Sequence, residues 1–208
     1  MLGRTLGGWG IDSDVQVVVY DDFNGGIAVR LWWLLGWLGH DAVAVLDGGW
    51  PAWEADGKAA RAGLEDRRAR TFAARVRPER IATVEDVVEV GSATDATLVD
   101  ARAGERYRGE VEPFDAVAGH IPGAVSAPWA ENVDGHGHML PSETLLRRFR
   151  GVLAGTDPAR TVCYCGSGVT ANHNVLAMVH AGLPRPRLYS GSWSEWITDR
   201  ARGRATGE

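Results

Sequence analysis

Apolar residues along this chain switch repeatedly between a strand-like pattern and a helix-like pattern. β-branched runs end at Tyr20 and at Tyr164, and a glycine-containing turn follows each of them. Beyond each turn the apolar residues recur at helical spacing, over 27–38 and over 175–179. Strands that alternate with helices in this way predict an α/β fold with a largely parallel sheet, spanning about residues 80–200.

The chain also contains an internal repeat. Segment 22–53 aligns without a gap with segment 165–196, and each copy reads turn, helix, short strand and Gly/Trp turn. The identities fall mainly at turns and helix ends: Gly25 and Gly168, Ala28 and Ala171, Gly39 and Gly182, Gly48 and Gly191, Trp53 and Trp196. Because the shared residues mark the turn and the helix end in both copies, the similarity favours duplication over chance. In the gapless alignment Asp22 takes the position of Cys165.

The two copies differ in what precedes them. Ahead of the second copy lie a helix pattern at 83–90, a strand and polar loop at 96–109, and a helix pattern at 142–153. Only 14 residues precede the β-branched run (15–20) that leads into the first copy. We therefore expect the first domain to lack its amino-terminal half. The charged segment 56–80, which is poor in large apolar residues, is typical of a linker.

Composition narrows the class of protein. The chain has 208 residues, 45% of them hydrophobic, and a formal net charge of −5. No basic stripe suggests nucleic-acid binding, and no apolar run is long enough to span a bilayer. The first ten residues do not resemble a signal peptide, and two cysteines do not form a disulfide framework, so we expect a cytoplasmic protein. Nine tryptophans, three of them on one predicted helix, are interpreted as core residues rather than a ligand cage.

The chemistry is expected at Cys165. This residue follows a predicted buried strand, and ligand sites in α/β sheets lie at the carboxyl ends of strands. The turn that leads into the next helix directs backbone N–H groups inward, Gly166 and Gly168 permit the necessary dihedrals, and Ser167 and Thr170 add hydroxyl donors. A thiol with a pKa near 8.5 is roughly 3% ionised at pH 7, and a shift to about 6.5 makes roughly three-quarters of it thiolate.

Other interpretations of these residues are weaker or fail. Cys165 as an inert thiol stays open as the less favoured alternative. Cys163 is interpreted as a packed strand residue rather than a resolving thiol, and two thiolates are too few for a structural zinc site. His136 and His138 are assigned to a glycine-rich surface loop rather than to a weak metal site. A cysteine-dependent phosphatase needs an arginine at position 171, and the residue there is Ala171.

Four motifs together resemble the two-domain sulfurtransferases of the rhodanese and 3-mercaptopyruvate sulfurtransferase family. They are "CGSGVTA", "LVDAR" with "RYRGEVEP", "GHIPGA" and "GSWSEW". The resemblance covers almost the whole chain and implies rhodanese-like domains, each with a largely parallel central sheet flanked by helices. It divides the chain into the carboxyl-terminal half of an inactive domain (1–57), a linker (58–79) and a catalytic domain (80–208). A carboxylate at the cysteine position explains why the first domain would be inactive.

The resemblance also implies site residues and a reaction. Cys165 would take a sulfur from thiosulfate or 3-mercaptopyruvate as a persulfide and pass it to cyanide or a thiol, with no cofactor. Arg106 would bind the anionic group of the donor, and Asp100 would orient Arg106 or the loop, whereas Arg108 is expected at the surface. The loop residues expected to hold the persulfide anion are Gly166, Ser167, Gly168, Val169 and Thr170.

The preferred donor stays open between the two compounds. "CGSGVT" resembles the 3-mercaptopyruvate type, because thiosulfate-preferring members tend to have "CRKGVT". Many 3-mercaptopyruvate enzymes carry a second arginine after an "EPEP" run, however, and "EVEPFDAV" is shorter and lacks it. Proposals for that group also pair the loop serine, here Ser167, with a histidine and an aspartate of the first domain. Those two residues would lie before Met1.

Three hypotheses follow. The first is an active sulfurtransferase, and the second is a degenerate fragment that only binds or carries sulfur. The third is a longer natural protein whose start lies upstream of Met1. If half a domain is absent, we expect the tryptophan-rich helix at 31–38 to be uncovered, so that the chain self-associates through an apolar patch.

Overall fold

The structure is a computed structural model that describes residues 2–208. It contains eight helices: α1 (Leu2–Gly8), α2 (Ala28–Trp37), α3 (Gly49–Ala55), α4 (Val84–Ser92), α5 (Gly104–Tyr107), α6 (Ser142–Leu153), α7 (Ala171–His180) and α8 (Ser192–Trp196). The strands are β1 (Val17–Val19), β2 (Val43–Val45), β3 (Thr97–Asp100), β4 (Ala124–Ser126), β5 (Thr161–Tyr164) and β6 (Arg187–Leu188). Short 3₁₀ turns lie at Pro78–Arg80, Trp129–Asn132 and Pro158–Arg160.

The strands form two parallel sheets. The larger has the order β4-β3-β5-β6, with Cys163 of β5 between Val99 of β3 and Leu188 of β6. The smaller is a parallel ribbon of β1 and β2, in which Val19 faces Val45. Parallel neighbours need a crossover, and helices supply it in both sheets, as the alternating pattern of the sequence predicts. The predicted α/β class is confirmed.

Local sequence explains where the elements begin. Helix α4 starts after Thr83, whose side chain accepts from the Asp86 amide while the Asp86 carboxylate accepts from the Thr83 amide. This reciprocal capping box satisfies two of the N–H groups that a helix start leaves unpaired. All four residues of β5 are buried, so the strand needs apolar side chains on both faces.

The larger sheet is covered on both faces. One face packs against α2, α6 and α7 in a core that draws residues from both repeats, including Trp33, Phe149 and Cys163. The other face packs against α4 and α8. The first repeat therefore shares a continuous core with the second, which holds the two copies against one another.

The tryptophan-rich helix is not uncovered, so that expectation is wrong. Trp33 is 1% exposed and Trp32 is 8% exposed, because α2 packs against α7 on one side and against Leu6 of α1 on the other. Among the exposed apolar side chains are two on the opposite face of the small ribbon, Val18 (52%) and Tyr20 (57%).

The segment expected to be a linker runs without regular structure from 58 to 77. Its second half nevertheless packs along the first repeat. The Arg70 amide donates to the Gly7 carbonyl at 2.9 Å, and the Arg75 amide donates to the Leu38 carbonyl at 2.8 Å. Phe72 packs against the core that α1 shares with α2. Among residues 2–208, no helix has the length and apolarity that crossing a membrane requires.

Candidate active site

Cys165 lies at the carboxyl end of β5, where the sequence predicts it. The residue is 2% exposed, and both it and Cys163 contribute to the core beneath α7. Both cysteines are free thiols. Burial raises the pKa of Cys163 far above its ordinary value, so this thiol stays protonated and unreactive.

The backbone around Cys165 is clamped by the start of α8. The Cys165 amide donates to the Ser192 hydroxyl at 3.1 Å, and the Trp193 amide donates to the Cys165 carbonyl at 3.0 Å. The Ser194 amide and hydroxyl both donate to the Gly166 carbonyl, at 2.9 and 2.8 Å. These hydrogen bonds from the segment 192–194 hold the backbone of Cys165 and Gly166 in place. The sequence analysis had used that segment only as part of the motif "GSWSEW".

The loop 166–170 turns sharply between β5 and α7. Gly168 has φ +73°, a conformation that disfavours any residue with a side chain. A Cβ atom here would also collide with the Ser190 carbonyl oxygen, so glycine is required twice over. Ser167 is exposed, whereas Val169 and Thr170 are half-buried.

The first repeat contains the same loop with a carboxylate in place of the thiol. The Trp50 amide donates to the Asp21 carbonyl at 2.8 Å, as the Trp193 amide does to Cys165. The register of β1 against β2 likewise aligns Asp21, not Asp22, with Cys165. The gapless alignment was wrong by one position because the first loop has one extra residue before Ala28.

The Asp21 carboxylate shows what this kind of loop binds. It accepts hydrogen bonds from four backbone amides, those of Phe23, Gly25, Ile27 and Ala28, at 2.7 to 2.9 Å. Burial opposes ionisation of Asp21, but the four hydrogen bonds outweigh it, and the pKa of this carboxyl is lowered. The loop of this fold is therefore an anion-binding nest at a helix N-terminus.

Arg106 lies beside the loop. Its Nη2 would be 3.4 Å from a Cβ atom placed on Gly166. The guanidinium pairs with Glu112 at 2.6 Å and with Asp115 at 3.6 Å, and it stacks over Phe114 at 4.9 Å. Burial opposes ionisation of Glu112, yet hydrogen bonds from Arg106 and two backbone amides lower its pKa.

Asp100 does not contact Arg106 directly. It is fully buried and forms a bidentate pair with Arg102, whose Nη2 lies 2.6 Å from Asp100 Oδ2. Arg102 in turn contacts Glu112 at 3.2 Å, so Asp100 is linked to Arg106 only through two intermediate side chains. Arg108 is partly exposed and pairs with Glu110.

Sequence reasoning missed two side chains near the loop, Arg30 and His173. Arg30 of α2 donates to the Gly168 carbonyl at 3.0 Å across the boundary between the repeats. His173, which is 1% exposed, lies 3.2 Å from the Asn24 carbonyl through Nε2 and 3.2 Å from the Asn132 amide through Nδ1. An amide nitrogen only donates, so Nδ1 accepts and Nε2 carries the hydrogen. No local signal marks contacts between residues so distant in sequence.

The histidines of the 134–138 loop form no metal cluster. His138 Nδ1 lies 3.2 Å from Asp47, which joins this loop to the first repeat. Within residues 2–208, no three His, Cys, Asp or Glu side chains lie together in a group that suits a metal ion.

Comparison with known proteins identifies the family. Residues 4–56 and 83–199 match the Rhodanese-like domain family. The chain is 48% identical, over its full length, to a probable 3-mercaptopyruvate sulfurtransferase of Pseudomonas aeruginosa, of which it spans 73%. It is 38% identical over 99% of its length to a putative thiosulfate sulfurtransferase of Mycobacterium tuberculosis, of which it spans 72%. It is 36% identical over 91% of its length to the 3-mercaptopyruvate sulfurtransferase of Rattus norvegicus, of which it spans 65%.

A solved structure shares the fold. An anaerobic ergothioneine biosynthesis enzyme from Chlorobium limicola, in complex with trimethyl histidine, superposes with a TM-score of 0.88 at 25% identity. The match covers 100% of this chain and 55% of that enzyme. The chain is thus a rhodanese-fold protein. It belongs to the rhodanese and 3-mercaptopyruvate sulfurtransferase family, and the resemblance expected from its motifs is confirmed.

Proposed function

We propose that this chain transfers sulfane sulfur through a persulfide on Cys165. The supporting observation is the Asp21 carboxylate, which occupies the equivalent nest with four amide hydrogen bonds. The corresponding amides around Cys165 belong to residues 166–171 and suit a thiolate or persulfide anion of the same charge. The relatives named above are all sulfurtransferases, so the alternative of an inactive sulfur-binding fragment gains no support.

The chemistry proceeds in two halves. The Cys165 thiolate attacks the sulfur of 3-mercaptopyruvate, an S–S bond forms, and the C–S bond breaks with its electron pair moving to carbon. The resulting enolate takes a proton and leaves as pyruvate. With thiosulfate, the attacked S–S bond breaks and sulfite leaves with the pair. Cyanide or a thiolate then attacks the outer sulfur and regenerates the thiolate.

We propose 3-mercaptopyruvate as the preferred donor. The loop contributes no charged side chain, and the neighbouring guanidinium of Arg106 already faces two carboxylates, Glu112 and Asp115. Such a partly neutralised site suits a monoanion better than dianionic thiosulfate. Phe114 stands in the Glu-Pro-x-Asp stretch where the second arginine of the family is missing, and this leaves Arg106 as the anchor for the donor carboxylate.

Arg106 would bind that carboxylate by exchanging one of its present partners for it. Glu112 is 4% exposed and hydrogen-bonded to backbone amides, so we expect it to stay in place and hold the guanidinium plane. Asp115, at 3.6 Å, is the weaker partner and the one a donor carboxylate replaces. Asp100 would act through Arg102 and Glu112, as a support of this arrangement.

The decisive experiment measures thiocyanate formed from cyanide with each donor. We expect 3-mercaptopyruvate to be the better donor and the Cys165→Ser variant to form no thiocyanate. Cys163→Ala is the matched control and should keep most activity, because that thiol is buried and protonated. Thiocyanate formation by Cys165→Ser at the unmodified rate would contradict the assignment.

A second pair of variants tests the anion anchor. Arg106→Met should raise KM for 3-mercaptopyruvate at least about tenfold, as expected when a charge-assisted contact to a carboxylate is lost. Arg108→Met, two residues away at the surface, should leave KM unchanged.

We also propose a cytoplasmic location and a thiol acceptor, since free cysteines are typical of a reducing compartment.

A further inference from the structure

Arg30 reaches from the first repeat into the active-site loop. It lies on the first turn of α2, and its Nη1 donates to the Gly168 carbonyl at 3.0 Å. The same carbonyl accepts from the Asn172 side chain at 2.9 Å. Two donors thus hold the one peptide of the loop whose glycine has a positive φ.

The guanidinium has a rigid support. It stacks over the ring of Trp33 at 5.3 Å, and Trp33 is itself 1% exposed in the shared core. Stacking of the planar guanidinium on the indole ring restricts the side chain and so holds its positive charge in a fixed position. The position of the charge is therefore set by packing between the two repeats.

The guanidinium lies near the nucleophile, because the carbonyl that it contacts is three residues beyond Cys165. Burial lowers the pKa of Arg30, and negative charge on Cys165 opposes that shift, which means that the two groups interact electrostatically. At any pH at which proteins stay folded Arg30 remains a cation. A cation near a thiol favours the thiolate.

We propose that Arg30 is a positioning residue for sulfur transfer, holding the Gly168 peptide and presenting a fixed positive charge to the Cys165 sulfur. The inactive repeat then contributes to catalysis through this side chain. The inference rests on the proposed function, because a role in catalysis requires that sulfur transfer takes place. The effect of Arg30 on the ionisation of the thiol can nevertheless be measured without any turnover.

Few other ionisable groups face Cys165. From α5, Arg106 approaches through Gly166, but Glu112 and Asp115 offset its charge. Cys163, two residues back on β5, stays protonated. On α7, burial lowers the pKa of His173 to about 4, so this imidazole is neutral above pH 5. Within residues 2–208, Arg30 is therefore the cation near the thiol that pairs with no carboxylate.

The test follows the rate of Cys165 alkylation by iodoacetamide as a function of pH, with the modified peptide quantified by mass spectrometry. Arg30→Met should raise the midpoint by about one pH unit, which slows alkylation by about tenfold at pH values well below both midpoints. Arg30→Lys restores a charge and should return most of the shift. Circular dichroism and Tm confirm that each variant is folded.

Arg185→Met is the matched control. Arg185 also stacks over a tryptophan of α2, Trp32 at 4.8 Å, but it contacts no residue of the loop. Its removal should leave the midpoint unchanged. A midpoint for Arg30→Met equal to that of the unmodified chain would overturn the inference, as would an equal shift in Arg185→Met. Absence of thiocyanate with a shifted midpoint would refute the sulfur-transfer proposal alone.

Discussion

The two repeats fold the same strand, loop and helix, but the first forms a two-stranded ribbon and the second lies in a four-stranded sheet covered on both faces. In the second repeat the far face of the sheet is buried under α4 and α8, and Trp193 is 0% exposed. In the first repeat the equivalent face borders an open groove of about 400 Å³. Equivalent residues line the two surfaces: Val18 and Val162, Tyr20 and Tyr164, Leu46 and Tyr189, Trp50 and Trp193, Trp53 and Trp196.

This difference separates two roles of the fold. The loop and its nest form in both repeats, so they need only one strand pair and one helix. The large aromatic residues keep the type and position of core residues in both repeats, yet only the complete domain buries them fully. Local backbone geometry therefore accounts for the nest, and the complete sheet accounts for core stability.

The largest expected effect comes from making the second loop resemble the first. In Cys165→Asp, a carboxylate would occupy the nest, and thiocyanate formation should fall at least about a thousandfold because no sulfur nucleophile remains. The free energy of unfolding should stay unchanged or rise, since the amides gain a permanent anion. Urea unfolding and the thiocyanate assay measure the two quantities, and a strongly destabilised variant would refute the equivalence of the loops.

The next largest effect is expected for a matched pair of tryptophan substitutions, one in each of the two apolar surfaces. Trp193→Ala should destabilise the chain by about 3–5 kcal/mol, as expected for a fully buried indole. Trp50→Ala, at the equivalent position beside the open groove, should cost about 1–2 kcal/mol because this indole is only partly buried and less of its surface is removed from water. Equal losses in urea unfolding would show that the groove is filled in solution.

A smaller effect is expected at Asp21. Asp21→Asn removes the negative charge from the first nest and should cost about 1–2 kcal/mol at pH 7, after allowance for solvent screening. Because the folded-state pKa of Asp21 is lowered, its contribution is present above the unfolded pKa and is lost as pH falls through the folded pKa. The difference between variant and unmodified chain should therefore shrink on acidification below about pH 4.

The smallest expected effect concerns self-association. The exposed face of the ribbon carries Val18 and Tyr20, with Tyr20 stacked near Trp50 at 6.3 Å. We predict weak, concentration-dependent association through this face and its reduction in Val18→Glu. Arg30→Lys, on the covered side of the ribbon, should not alter it. Sedimentation velocity over a range of concentrations measures both, and a monomer at every concentration would contradict the prediction.

Much of the architecture is predictable because it depends on local pattern. The helix at 142–153 begins and ends where the sequence indicates, and Cys165 lies at the predicted strand end. The one-residue difference between the loops is invisible to a gapless alignment, because its identities, from Gly25 to Trp53, all lie past the strand end and share one offset. Cover over the tryptophan-rich helix α2 depends on α7 and α1, which no local pattern relates to α2.

The active-site surroundings are harder to predict for the same reason. The contact of Arg30 with Gly168 joins residues 138 positions apart. Asp100 was expected to orient Arg106 or the loop, whereas it pairs with Arg102 two residues further on, since both side chains are buried together. Long-range packing decides such pairs, and the sequence marks only the residue types.

The carboxylate of Asp21 can also serve as an internal reporter of electrostatic potential in this fold. It sits in the field of a nest and a helix N-terminus, it titrates, and it takes no part in sulfur chemistry. A ¹³C-detected titration of this one side chain would report the electrostatic potential that such a loop imposes on an anion. The first repeat thus carries, in every molecule, a reporter of the field that the equivalent loop at Cys165 would exert on an anion.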